Sequence, residues 1–147
     1  MAAKKQSTLS QKQYQAIASF RHQLRRFLSF SEAAAAAAGL PPQQHQALLA
    51  IAGHVGPDPP TAGSLAEQLI VAPHTAAELV SRMTEAGLLT KTTSASDRRR
   101  QELALTSKAA ALLVRLTETH LQELVNLEPA LTKALRGARH ETEKPCT

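Results

Sequence analysis

The sequence predicts a mainly α-helical protein that carries one two-stranded β-ribbon. Three observations support this fold class. Apolar residues recur every three or four positions over most of the 147 residues, which is the period of a helix. Clusters of Gly and Pro divide the chain into separate helical segments. After Gly87 the helical period gives way to an extended, alternating pattern. A chain of this length can bury one core, so a single compact domain is expected, with a central region at 41–107 and helical regions at 1–40 and 108–147.

The N-terminal region predicts an amphipathic helix from Tyr14 onward, because its apolar side chains follow three- and four-residue spacing. The alanine run at 33–38 either continues this helix or forms a second piece after a kink near Ser29. Gly39 and the two prolines soon after it are expected to end the helix.

Three shorter helices are predicted in the centre of the chain, at about 43–52, 64–69 and 73–86. The turn-forming stretch at 53–63 separates the first two, and Gly87 closes the third. Residues 88–93 and 101–106 are β-branched or alternating, so they predict two strands. The loop between these strands, SASDRRR, places three arginines at the tip of the ribbon.

The C-terminal region repeats leucine at helical spacing for nearly thirty residues after Ser107. Pro129 predicts a break or a new first turn, which gives two C-terminal helices. These leucines could pack within one chain, but they exceed what a small domain needs. We therefore expect both terminal regions to form a dimerisation surface covered by a second subunit.

The charge balance hints at an anionic partner such as nucleic acid, because 17 Lys and Arg stand against 12 Asp and Glu, a net charge of +5. No apolar run reaches the ~20 residues of a membrane span. The basic N-terminus lacks the apolar stretch of a signal peptide. A single cysteine, Cys146, excludes an intrachain disulfide, so a cytoplasmic protein with no membrane partner is expected.

Two short helices with a tight connection, followed by a β-ribbon with a cationic tip, are typical of a winged helix-turn-helix. The second helix is slim enough to enter the major groove of DNA, where base edges differ. The ribbon can place an arginine in the adjacent minor groove, whose negative potential is concentrated where A·T pairs narrow it. Double-stranded DNA is therefore the expected partner.

The stretch from Ser64 to Thr106 resembles the helix-turn-helix and wing of the MarR (multiple antibiotic resistance regulator) family. The matching residues are Leu65, Ala66, Thr75, Arg82, Gly87, Leu88, Asp97, Arg99, Leu103, Leu105 and Thr106. The D-x-R and L-x-L-T spacing is fairly specific, and a looser resemblance covers nearly the whole chain. It implies a homodimeric regulator, here expected to be a repressor, that binds a pseudo-palindromic operator and is released by a small-molecule effector.

The resemblance also implies roles for individual residues. Arg99 would enter the minor groove, Asp97 would orient the wing arginines by ion pairing, and His74, Thr75 and Ala77 would lie on the base-facing side. The complete predicted DNA-binding set is His74, Thr75, Ala77, Glu78, Arg82, Lys91, Asp97, Arg98, Arg99 and Arg100.

Two positions depart from the family pattern, which usually has Ser at the helix N-cap and a basic residue later in the helix. This chain has Ala72 and Glu78 there, and Pro73 partly offsets the missing cap. Glu78 could accept a hydrogen bond from a cytosine amino group, but a glutamate near phosphates more often repels. The operator sequence is therefore not predicted. Thr75 and Arg82 are expected to contact phosphates.

Candidate effector contacts are Arg21, His22 and His45, since helix order could bring them to one pocket. No metal or other cofactor is expected, because the six histidines include no H-x-x-x-H pair and no cysteine companion. Cys146 is expected to be an inert thiol, since a terminal tail offers little control over its reactivity.

No nucleophile elbow, P-loop or dinucleotide motif is found in the sequence, so an enzyme is not expected. Two alternatives to the effector-released regulator stay open. One is a non-enzymatic helical adaptor that binds other proteins. The other is a metal-sensing regulator of the same fold.

Overall fold

The computed structural model describes residues 9–139, which fall into two compact units. The first unit holds residues 9–31 and 120–139, and the second holds residues 32–119. The elements are α1 (Gln11–Ala37), α2 (Pro42–Ala52), α3 (Ala62–Leu69), α4 (Pro73–Glu85), β1 (Leu89–Thr93), β2 (Gln101–Leu105) and α5 (Ser107–Arg139). The predicted mainly α-helical fold with a two-stranded antiparallel wing is confirmed. No helix within residues 9–139 has the length and apolar character needed to cross a membrane.

The core of the second unit takes one large, fully buried side chain from each of four consecutive elements. These side chains are Leu48 of α2, Leu65 of α3, Met83 of α4 and Leu89 of β1. Burying a side chain of this size contributes about 1.5–3 kcal/mol, so the shared cluster holds the helices and the wing together. This shared core sets the position of α4 relative to the wing.

A capping box starts α3 two residues before the predicted position. Thr61 Oγ1 accepts from the backbone N–H of Ser64 at 3.2 Å, and Ser64 Oγ accepts from the backbone N–H of Thr61 at 2.9 Å. These bonds satisfy two N–H groups that a helix start leaves free, so Ala62 is already helical. The turn to α4 passes through Ile70, whose φ of 55° and ψ of 50° are left-handed.

The wing pairs β1 and β2 in antiparallel register, with Leu89 opposite Leu105 and Thr93 opposite Gln101. A further contact lies on the other edge of β2, where the backbone N–H of Leu103 donates to the carbonyl of Pro60 at 2.8 Å. The loop before α3 therefore attaches to the wing through an isolated antiparallel bridge between Thr61 and Glu102.

The alanine run continues α1, so it does not form the separate second helix considered after Ser29 to Ser31. The helix is unbroken to Ala37 because alanine has the best helix propensity and no residue in this part interrupts the backbone bonds. Gly39 then takes a φ of 75°, and Leu40 N–H donates to the carbonyl of Ala35 at 2.9 Å. This is the αL-type stop that Gly39 predicted.

The predicted break at Pro129 is wrong, because α5 is one helix of 33 residues with Pro129 inside it. Proline has no N–H to donate to the carbonyl of Val125, which costs one helical hydrogen bond. Both residues are exposed, so water can satisfy that carbonyl and the rest of the helix is retained.

The first unit brings α1 against α5 around the buried His120. Its Nε2 lies 2.8 Å from the Ser31 hydroxyl, and the rings of Phe27 and Phe30 approach it edge-on, with centroids 5.9 and 5.3 Å away. The aromatic edges and the hydroxyl thus enclose the only imidazole buried in the first unit, within the residues that the structure describes.

Candidate nucleic-acid interface

The two sides of α4 differ sharply in burial. Its inner side consists of Ala76, Leu79, Val80 and Met83, which are all buried. Its outer ridge consists of exposed residues at three- and four-residue spacing: His74, Glu78, Ser81 and Glu85. Ala77 and Arg82 are also exposed and flank this ridge, whereas Thr75 is half-buried. The ridge is therefore the part of α4 that can enter a groove.

The tip of the wing is a tight turn held by backbone bonds. Ser94 N–H donates to the carbonyl of Arg100 at 2.9 Å, and Arg100 N–H donates to the carbonyl of Asp97 at 3.0 Å. The side chains of Arg98 and Arg99 are exposed on this turn, and neither has an ion pair within residues 9–139. Two guanidinium groups are thus presented on a hydrogen-bonded turn. Lys91 adds a third exposed cation on β1.

Among the residues that the structure describes, Asp97 makes no ion pair with the wing arginines. Its Oδ1 accepts from the backbone N–H of Arg99 at 3.0 Å, the local bond that an aspartate two residues earlier in a turn commonly makes. The ion pair at the wing joins Arg100 Nη1 to Asp58 Oδ2 at 3.3 Å. Sequence reasoning missed Asp58, since no local pattern connects a residue of the 53–63 loop to the wing.

A shallow depression of about 420 Å³ lies where the wing tip meets the start of α3. It is lined by Thr61, Ala62, Gly63, Arg98, Arg99, Arg100 and Gln101. The first turn of a helix carries a partial positive charge, and here three arginines stand beside it. This arrangement suits the phosphates of a nucleic-acid backbone.

The threonine of the L-x-L-T motif connects three elements. Thr106 Oγ1 donates to the carbonyl of Gly87 at 2.7 Å and accepts from the backbone N–H of Ala109 at 3.2 Å. Lys108 Nζ adds a bond to the carbonyl of Ala86 at 3.3 Å. The end of α4, the base of the wing and the start of α5 are thereby tied together. The motif indicated Thr106 as a match but not this role.

The three candidate effector contacts lie in different units. Arg21 and His22 are exposed on α1 in the first unit, and His45 is buried on α2 in the second. Their shared role stays a prediction. Within residues 9–139, no three His, Cys, Asp or Glu side chains are grouped as metal ligands would be. Cys146 and His140 lie outside the described residues.

The segment that builds this interface matches a known family. A sequence model of the MarR family matches residues 38–100. Residues 38–100 are therefore similar to the MarR family. The predicted resemblance is thus confirmed over α2, α3, α4 and the wing up to Arg100. No curated protein sequence matches the chain at a significant level.

Solved structures of MarR proteins share this fold. AbsC, a MarR family transcriptional regulator from Streptomyces coelicolor, is 17% identical with a TM-score of 0.70, covering 92% of this chain and 95% of AbsC. A MarR family protein from Bacillus stearothermophilus is 18% identical with a TM-score of 0.70, covering 93% and 100%. A mutant of S. aureus MepR bound to an oligodeoxyribonucleotide is 20% identical with a TM-score of 0.62, covering 82% and 95%.

Proposed function

We propose that this chain is a non-enzymatic, cytoplasmic transcription regulator, a repressor, that binds double-stranded DNA through α4 and the wing. One observation carries the proposal: a single compact unit presents both the exposed outer ridge of α4 and a hydrogen-bonded turn with Arg98 and Arg99 exposed. The ridge suits the major groove, where base pairs are distinguishable, and the wing suits the adjacent minor groove. The DNA-bound MepR mutant of the same fold supports this assignment.

The cations of the interface are suited to phosphates and to the minor groove. Arg99 is the candidate for the minor groove, where a narrow A·T-rich stretch attracts a guanidinium. Arg82, on the flank of α4, and Lys91, on β1, are candidates for phosphate contacts that position the protein without reading sequence. Binding should therefore weaken steeply as salt is added.

The exposed apolar surface of the first unit supports a homodimer. The exposed large apolar side chains of α1 are Tyr14, Ile17, Leu24 and Leu28, and those of α5 within this unit are Leu121, Leu124, Val125 and Leu135. A groove of about 390 Å³ runs along the α5 set. Contiguous exposed apolar surface of this kind marks an interaction site. A second copy would supply a second α4 about one DNA turn away, ~34 Å, so that the dimer reads a pseudo-palindrome.

A small-molecule effector would release the DNA by favouring a dimer conformation in which the two α4 helices no longer match the spacing of the operator. Arg21, His22 and His45 are the candidate contacts. The effector would be identified by a thermal-shift screen, since a ligand that binds the folded state raises the melting temperature. A hit must then also lower DNA affinity.

The proposal is tested by titrating fluorescent duplexes from the DNA that flanks the gene, at 50 to 200 mM salt. We expect one duplex to bind far more tightly than scrambled DNA and to retain that preference at the higher salt. A protein-binding adaptor would show only weak binding, equal for all duplexes and erased by salt. Elemental analysis of the purified protein tests the metal-sensing alternative.

A further inference from the structure

The outer ridge of α4 is acidic. It carries the carboxylates of Glu78 and Glu85 and no lysine or arginine, and the one cation on the exposed side, Arg82, lies on its flank. A ridge that entered the major groove on charge attraction alone would be basic, because phosphates line both groove edges. In this chain the attraction comes from the wing and the flank. The ridge is therefore suited to reading bases rather than to binding phosphates.

The Glu78 side chain is exposed and available for a contact with DNA. It has no hydrogen bond and no ion pair within the part of the chain that the structure describes. Its position along the helix also favours base contact, since the N-terminal turns of a recognition helix touch base edges. Glu78 lies five residues from Pro73, about 7.5 Å along the axis, whereas Glu85 lies twelve residues away, about 18 Å.

A carboxylate that loses its hydrating water on entering the major groove requires a hydrogen-bond donor there. Thymine offers O4 and guanine offers O6 and N7, which are all acceptors. Adenine offers its N6 amino group beside the N7 acceptor, which would repel the second carboxylate oxygen. Cytosine alone presents an amino group, N4, with no acceptor on its own edge.

We propose that Glu78 accepts a hydrogen bond from the N4 amino group of a cytosine in each operator half-site. This makes Glu78 a specificity-determining residue, and the inference rests on the proposed function, since it requires α4 in the major groove. The operator then carries a C·G pair at a fixed distance from the centre of its two-fold symmetry.

The first experiment selects duplexes from a random pool with the wild-type protein and with Glu78→Ala. We expect the wild type to enrich a symmetric site with one invariant cytosine per half-site. Glu78→Ala should enrich the same site with that single position randomised and the other positions unchanged. Far-UV circular dichroism and thermal unfolding of both proteins check that the substitution of this exposed residue leaves the fold intact.

The second experiment removes only the amino group. The selected cytosine is replaced by 2-pyrimidinone, which has the same ring without the N4 amino group. We expect wild-type affinity to fall by about tenfold, the usual cost of one lost base contact. Glu78→Ala should bind both duplexes equally, because this variant no longer contacts the group that the probe removes, and the Watson–Crick bond to guanine O6 that the probe also removes is lost equally for both proteins.

Glu85→Ala is the matched control, since it makes the same change on the same ridge at the far end of α4. It should keep the cytosine preference of the wild type. The inference is overturned if Glu78→Ala binds every duplex more tightly with an unchanged base preference, because Glu78 then only repels phosphates. If the wild type enriches no duplex at all, the proposed function fails and takes this inference with it.

Discussion

Asp58 and Arg100 lie 42 positions apart in the sequence, yet their side chains meet at 3.3 Å and join the loop before α3 to the wing. Both side chains are well exposed, so water screens their attraction. The contact acts together with the backbone bond from Leu103 to Pro60, which holds the same loop against β2. The ion pair therefore positions the tip of the wing more than it stabilises the fold.

This relationship predicts a small coupling energy between the two side chains. Asp58→Ala, Arg100→Ala and the double variant should give a coupling of about 0.2–1 kcal/mol in the free energy of unfolding, as exposed pairs do. Urea denaturation measures it. A coupling above about 2 kcal/mol would show that the pair is structurally essential, contrary to this account.

Arg99→Ala should weaken operator binding by about 1–3 kcal/mol and reduce the slope of log K against log salt concentration by about one. The physical reason is the loss of an exposed guanidinium from the wing tip. Anisotropy titrations at several salt concentrations measure both quantities. Arg115→Ala, which removes an exposed arginine from α5 outside the predicted interface, is the control and should leave both unchanged. If Arg99→Ala binds the operator with the affinity and salt slope of the wild type, the proposal that the wing contacts DNA through Arg99 is rejected.

Thr106→Val should lower the free energy of unfolding by about 0.5–2 kcal/mol, because it removes the hydroxyl that bonds the Gly87 carbonyl and the Ala109 N–H at the start of α5. Valine has nearly the shape of threonine, so packing is retained. Thr92→Val, on the exposed strand β1, should change stability by less than about 0.5 kcal/mol. Equal effects of the two substitutions in urea denaturation would show that the Thr106 hydroxyl is not a structural link.

Ile70→Gly should raise the free energy of unfolding by about 0.5–1 kcal/mol. The backbone of Ile70 has a left-handed conformation, which a β-branched residue adopts only with strain. Its side chain is 92% exposed, so the substitution loses no packing. Val55→Gly is the matched control, since Val55 is 91% exposed without a positive φ. It should give no gain, because glycine only increases the freedom of the unfolded chain. A melting temperature of Ile70→Gly at or below that of the wild type would contradict the strain argument.

Leu124→Glu should convert the proposed homodimer to a monomer, because it places a charge among the exposed apolar side chains of the first unit. Light scattering after size-exclusion chromatography measures the mass of each variant. Val55→Glu, an equal change on the second unit, should remain dimeric. A wild-type protein that elutes as a monomer at micromolar concentration would contradict the dimer itself.

Much of the fold could be predicted because it depends on local signals. The helix end at Gly39 requires a residue that accepts positive φ, which glycine does. The helix start at Pro73 suits proline, because the first helical position needs no N–H donor. Both positions could therefore be predicted from residue type. The prediction at Pro129 was wrong because the outcome there depends on exposure rather than on residue type. A proline inside a helix is tolerated where the carbonyl it leaves free can reach water, and the sequence does not show that exposure.

The sequence by itself determined the period of each element, the alternation of the wing and the position of its arginines, because these follow from spacing along a single segment. Only the tertiary structure decided that Arg100 pairs with Asp58, that Asp97 caps its own turn, and that Glu78 stands on the outer ridge of α4 without a partner in the described chain. Such relationships require segments to be packed on a common core. Burial, which sets which side of a helix stays exposed, is a property of the whole packed chain.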